Sequence, residues 1–101
     1  MPRSVAHVAT PTPDRYAKQL ASHLGHRVPV TEAPDGTRVL TFGSGTGTLR
    51  SQDGELVMEA DAVDAAGLAQ VEDVLARHLV RFGERQELAV TWEPQPQESA
   101  G

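Results

Sequence analysis

The sequence predicts an α+β two-layer sandwich, with two helices packed on one face of a mainly antiparallel sheet in the order β-α-β-β-β-β-α-β. Three observations predict it. The apolar residues change period along the chain, from helical to two and back. Pro-Asp-Gly and Asp-Gly turn signals separate the period-two runs. Each of those runs has one apolar and one mostly polar face, as in a sheet covered on one side, and two amphipathic helices are present to cover it.

The first strand is Ser4 to Ala9, with Val5 and Val8. Thr12 as N-cap, Pro13 at the first helical position and Asp14 in the first turn start a helix. Tyr16, Leu20, His23 and Leu24 recur on one face of it, and Gly25 is expected to end it in a left-handed cap. Between Val28 and Ala60 four short strands form a meander, broken at Pro34-Asp35-Gly36, Gly43-Ser44-Gly45 and Asp53-Gly54. Pro29 suits a sheet edge, because it cannot donate to a ladder. The outward set includes Thr41, Thr48, Arg50, Glu55, Glu59, Thr91 and Glu93. A second helix follows, with Asp61 as the expected N-cap and Asp64 in support. Its stripe runs Val63, Leu68, Val71, Val74, Leu75, His78, Leu79, Phe82, and Gly83 can cap its end. The last strand is expected at Leu88 to Trp92. Residues 1–93 make one domain, and 94–101, rich in Pro and Gln, are expected to be a disordered tail.

At 101 residues the chain has room for one core. Its net charge of −5 argues against a binder of nucleic-acid phosphates. The absence of cysteine excludes disulfides, thiolate zinc sites and cysteine nucleophiles. No apolar run approaches about 18 residues, so no membrane span is expected. The N-terminus lacks the apolar stretch of a secretory signal, so a cytoplasmic address is expected.

With cysteine absent, imidazole and carboxylate are the remaining strong metal ligands. His23 lies on the apolar face of the first helix, His26 just past its end and His78 near the centre of the second stripe. If both helices cover one sheet face, His23 and His78 approach each other at the helix seam. With His26 they form the candidate metal set, for iron or zinc, with Glu87 as a further ligand. Each also has a structural role open to it, at a helix C-terminus or within the stripe. Arg77, Arg81 and Arg85 gather at the end of the second helix. They favour the dipole there and are also able to receive a carboxylate, with Arg81 the candidate ligand-binding residue.

Other chemistry has little support. Gly43-Ser44-Gly45-Thr46-Gly47-Thr48 lacks the helix N-terminus and Lys of a phosphate loop, and reads as a hairpin turn with a bulge. Ser22 and His23 point about 100° apart on a helix, so they do not pair. Glu55 and Glu59 share a strand face, and Glu72 and Asp73 a helix face, and all four are expected to be solvated.

Four segments together resemble one family. They are Arg15-Tyr16-x-Lys18-Gln19-Leu20-x-x-His23-x-x-His26, Leu40-x-Phe42-Gly43-x-Gly45, Val71-x-Asp73-Val74-x-x-x-His78-Leu79-x-Arg81-Phe82, and Glu87-Leu88-x-Val90-Thr91-Trp92. They are similar to the uncharacterised bacterial family known as domain of unknown function 2218, from about Ser4 to Trp92. Leu24 departs from it, where members often carry a bulky aromatic. The resemblance brings no established activity or catalytic residues. It implies a small stand-alone protein, often found in siderophore or iron-uptake contexts near flavin-dependent siderophore-interacting reductases.

The expected function is therefore a non-enzymatic accessory or ligand- and metal-binding module linked to siderophore or iron metabolism, with such a reductase as partner and the chain a monomer or homodimer. Two alternatives stand beside it: a small enzyme using His as acid or base on a polar small molecule, and a structural dimerisation module.

Overall fold

The computed structural model describes residues 2–83 and 88–95. The chain runs β1 (Arg3–Ala9), α1 (Pro13–Leu24), β2 (Val30–Glu32), β3 (Arg38–Phe42), β4 (Gly45–Gln52), β5 (Glu55–Ala62), α2 (Ala65–Phe82) and β6 (Trp92–Pro94). This is the expected order. One six-stranded sheet has the strand order β2-β3-β4-β5-β1-β6, and every neighbouring pair is antiparallel.

Both helices cover one face. Leu20 and Leu24 of α1 and Val71, Leu75 and Leu79 of α2 close over Ala6, Val8, Leu40, Leu49, Leu56 and Met58 of the sheet. The two expected turn glycines have positive φ, 89° at Gly36 and 75° at Gly54, a conformation that suits a residue without Cβ. The glycine-rich run after β3 has a different purpose. A Cβ on Gly47 would lie 2.9 Å from Leu75 Cδ1 and 3.3 Å from Phe42 Cε2, so a side chain there would displace the Leu75 tip where α2 rests on β4.

Several boundaries differ from expectation. Gly25 is right-handed (φ −62°, ψ −15°), because the chain keeps turning: the amides of Arg27 and Val28 both donate to the Leu24 carbonyl. The N-cap of α2 is Asp64, whose Oδ1 accepts from the Gly67 amide at 2.7 Å. Asp61 instead extends β5, in register with Arg3 and Thr46. Val63 consequently lies in the connection before α2 and is 75% exposed. The last strand is shifted towards the C-terminus. Leu88 first packs against Gly83 at the end of α2, so the chain reaches β1 only at Trp92, opposite Ala6. The ladder then passes the expected boundary at 93: Pro94 lies opposite Ser4, and the Gln95 amide donates to the Arg3 carbonyl. The rest of the expected tail, residues 96–101, lies outside the described residues.

The open face of the sheet also corrects one expectation. Glu59 is 8% exposed, not solvated, since it occupies a central strand and two guanidinium groups lie over its carboxylate. Arg3 binds one oxygen, and Arg50 Nη2 binds the other at 3.0 Å. Glu72 is likewise half-buried, accepting from Ser4 Oγ at 2.5 Å and so tying α2 to β1. Among the described residues, no helix is long and apolar enough to cross a membrane.

Candidate functional site

The two helices end near one another, and their last turns frame a cleft of about 440 Å³. Its wall on α2 is Val74, Arg77, His78 and Arg81. Their spacing of i, i+3, i+4 and i+7 places all four on one side of a helix. The opposite wall is His23 and Leu24 from the end of α1, then Arg27 and Val28 from the turn that follows. Phe42, at the end of β3, completes the lining. Leu24, Val28, Phe42 and Val74 make it partly apolar, while three guanidinium groups and two imidazoles supply its polar atoms.

The imidazoles are in contact. The rings of His23 and His78 are 5.1 Å apart between centroids and tilted by 46°. Phe82 meets His23 edge-on at 5.4 Å, supporting that ring from the side. His78 Nδ1 is 2.7 Å from the Val74 carbonyl, one turn back in the same helix. A carbonyl can only accept, so Nδ1 carries the proton and donates. In the neutral ring Nε2 is then the nitrogen with a lone pair, and it has no protein partner among the described residues.

The charges are asymmetric. Arg77 pairs with Asp73 at 2.8 Å on the exposed surface of α2. Among the described residues Arg27 and Arg81 have no ion-pair partner. Among the described residues no Asp or Glu lines the cleft.

Of the residues singled out in the sequence, His23, His78 and Arg81 line this cleft together. His26 does not join them. It is exposed in the turn after α1 and does not line the cleft. The candidate metal set of His23, His26 and His78 is therefore not assembled. Among the described residues no group of three or more His, Asp or Glu side chains is placed to hold a metal ion. The continued turn at Gly25 is the reason, since it takes residue 27 rather than residue 26 to the cleft. Glu87 and Arg85 lie outside the described residues. Arg27 was not singled out in the sequence. The signal was an arginine three residues beyond a helix end, and only the return of the chain towards β2 gives it meaning. The outward Glu55 pairs with His7, Oε1 to Nδ1 at 3.2 Å, away from the cleft.

A small two-layer domain with one partly apolar, arginine-rimmed cleft at its helix ends belongs to the class of compact α+β proteins with a single-sided sheet. Residues 5–93 match the family described as "Uncharacterized protein conserved in bacteria (DUF2218)", and the chain belongs to that family. The fold is similar to the NMR structure of PA4090 from Pseudomonas aeruginosa, at a TM-score of 0.78 and 30% identity over 96% of this chain and 100% of that one. No curated protein is significantly similar in sequence.

Proposed function

We propose that the chain is a small ligand-binding module whose cleft takes a compact anionic molecule. One observation carries this reading. In a chain of net charge −5, Arg27 and Arg81 both line a cleft where, among the described residues, neither has an ion-pair partner and no carboxylate is present. A guanidinium presents a planar fork of donors that matches a carboxylate or phosphate in two parallel hydrogen bonds. The apolar walls supply burial for the rest of the ligand.

The link to iron belongs to this proposal in a restricted form. Three guanidinium groups oppose a bare cation, and two imidazoles do not complete a coordination sphere. A ferric chelate with net negative charge meets both conditions, because the chelator brings its own ligands and its charge suits the arginines. The family resemblance supports the iron; the charge of the cleft supports the anion.

Calorimetric titration with citrate, inorganic phosphate, phenylacetate, ferric citrate and free Zn²⁺ tests the reading. At least one anion is expected to bind, and the Arg27→Ala, Arg81→Ala double variant should weaken it about tenfold or more. No binding by any anion, or binding indifferent to the double variant, overturns it.

A second reading is favoured by one observation. His78 Nε2, without a protein partner among the described residues, is a base on the wall of a cleft, held in one tautomer by the Val74 carbonyl. On that reading it takes a proton from the bound molecule, and the chain is a small enzyme. Turnover of a bound anion that is lost in His78→Phe, with binding kept, would distinguish it from simple binding.

A further inference from the structure

The cleft holds a hydrogen-bond acceptor as well as cations. The three guanidinium groups on its walls have no acceptor atom at all, and no hydrogen bond among the described residues fixes the tautomer of His23. His78 differs from both, because its own helix consumes the Nδ1 proton and so fixes Nε2 as an acceptor in the neutral ring. The neutral ring is thereby prevented from turning a second N–H towards the ligand. Nε2 has no protein partner among the described residues, which leaves it open to water in the free protein. A ligand without a donor would displace that water and leave the lone pair unpaired against an apolar wall, which is unfavourable.

We infer that the ligand carries a hydroxyl or N–H donor in addition to its anionic group, and that His78 Nε2 accepts from it. The inference rests on the anion-binding reading and adds what the ligand must contain. The spacing also bounds its shape. His78 and Arg81 are three residues apart on α2, a rise of about 4.5 Å along the helix. The anionic group held by Arg81 and Arg27 therefore stands about one helical turn from the donor that meets His78. A single ring or a short chain between the two groups spans that distance and places its apolar body against Leu24, Val28, Phe42 and Val74. The ligand class is a small hydroxy acid, amino acid or equivalent phosphate ester. The His23 ring, 5.1 Å from His78 and braced by Phe82, keeps the His78 ring in place.

Pairs of anions that differ by one hydroxyl give the test. Affinities are measured for 4-hydroxyphenylacetate against phenylacetate and 4-methoxyphenylacetate, and for citrate against tricarballylate, which lacks the hydroxyl. In at least one pair the hydroxylated member is expected to bind about tenfold more tightly. In His78→Phe that preference should fall to about twofold or less, with phenylacetate binding kept. Long-range ¹H–¹⁵N NMR of the unliganded protein, at about pH 8 where an ordinary imidazole is neutral, should show the His78 proton on Nδ1. Equal affinity within every pair overturns this inference and leaves the anion-binding reading standing. A proton on Nε2 overturns it without any ligand. Failure of every anion to bind overturns both.

Discussion

Ser4 shows how one polar side chain joins two layers. It is 1% exposed on β1, and its hydroxyl donates to Glu72 on α2 at 2.5 Å. Removing the donor leaves a half-buried carboxylate without that partner, so Ser4→Ala is expected to lower stability by about 1–3 kcal/mol in urea denaturation. Asp35 acts at the opposite extreme of burial. In the β2–β3 turn its Oδ1 accepts from the Thr37 amide at 2.9 Å, and this bond, followed by one from the Thr37 side chain, holds its carboxyl below the ordinary 3.8. A depressed folded value means a contribution that is present above the unfolded value and lost as pH falls through the folded one. Asp35→Ala should therefore be less stable than the parent at neutral pH. The gap should narrow below about pH 4 in a denaturation series, as the carboxylate is protonated. Glu59 carries the residue-scale lesson for the open face. Its strand alternation placed it correctly on that face, but alternation is blind to the two arginines from neighbouring strands that cover it.

At the scale of elements, α2 does most to build the cleft, and its N-terminus sets its phase. Asp64 Oδ1 accepts from the Gly67 amide, satisfying one of the donors that a helix start leaves free. Asp64→Ala is expected to cost about 1 kcal/mol of stability by thermal or chemical denaturation, and to fray the first turn in amide exchange. The sequence pointed to Asp61 as the N-cap with Asp64 supporting the first turn, and either side chain is chemically competent to cap. Pairing of Asp61 with Arg3 and Thr46 across the sheet decided between them. Val74 and His78 were expected in the apolar stripe of this helix and Arg77 and Arg81 only as part of an arginine cluster at its end; the helix brings all four to one wall of the cleft. The end of α1 was not legible in the sequence. A glycine after a helix commonly turns left-handed, whereas here the Leu24 carbonyl takes two further amides and the turn carries Arg27, not His26, to the cleft.

For the whole molecule, the sheet edges bear on association. Both edge strands, β2 and β6, are three residues long, Pro29 stands immediately before the first and Pro94 ends the second. Short edges with proline offer little ladder to a second copy. The chain is accordingly expected to be monomeric in light scattering at concentrations up to about 100 μM, a range in which weak edge pairing would show; a stable dimer would revive the dimerisation reading. The α+β class, the two helices and the meander of four strands were determined by the sequence itself. Periodicity and turn chemistry are local properties, and a few residues suffice to express them. The absence of cysteine likewise limited any metal site to imidazole and carboxylate before the fold was known. The tertiary structure alone decided the strand order, the burial of Glu59 and the composition of the cleft. Each depends on residues far apart in sequence: Glu59 on Arg3, His23 on His78, Arg27 on Arg81. The contact between the two imidazoles followed from both helices covering one face, but the exclusion of His26 depended on a single turn. Long-range neighbours set the local dielectric, the charge balance and the available hydrogen-bond partners, and no period in the chain encodes them.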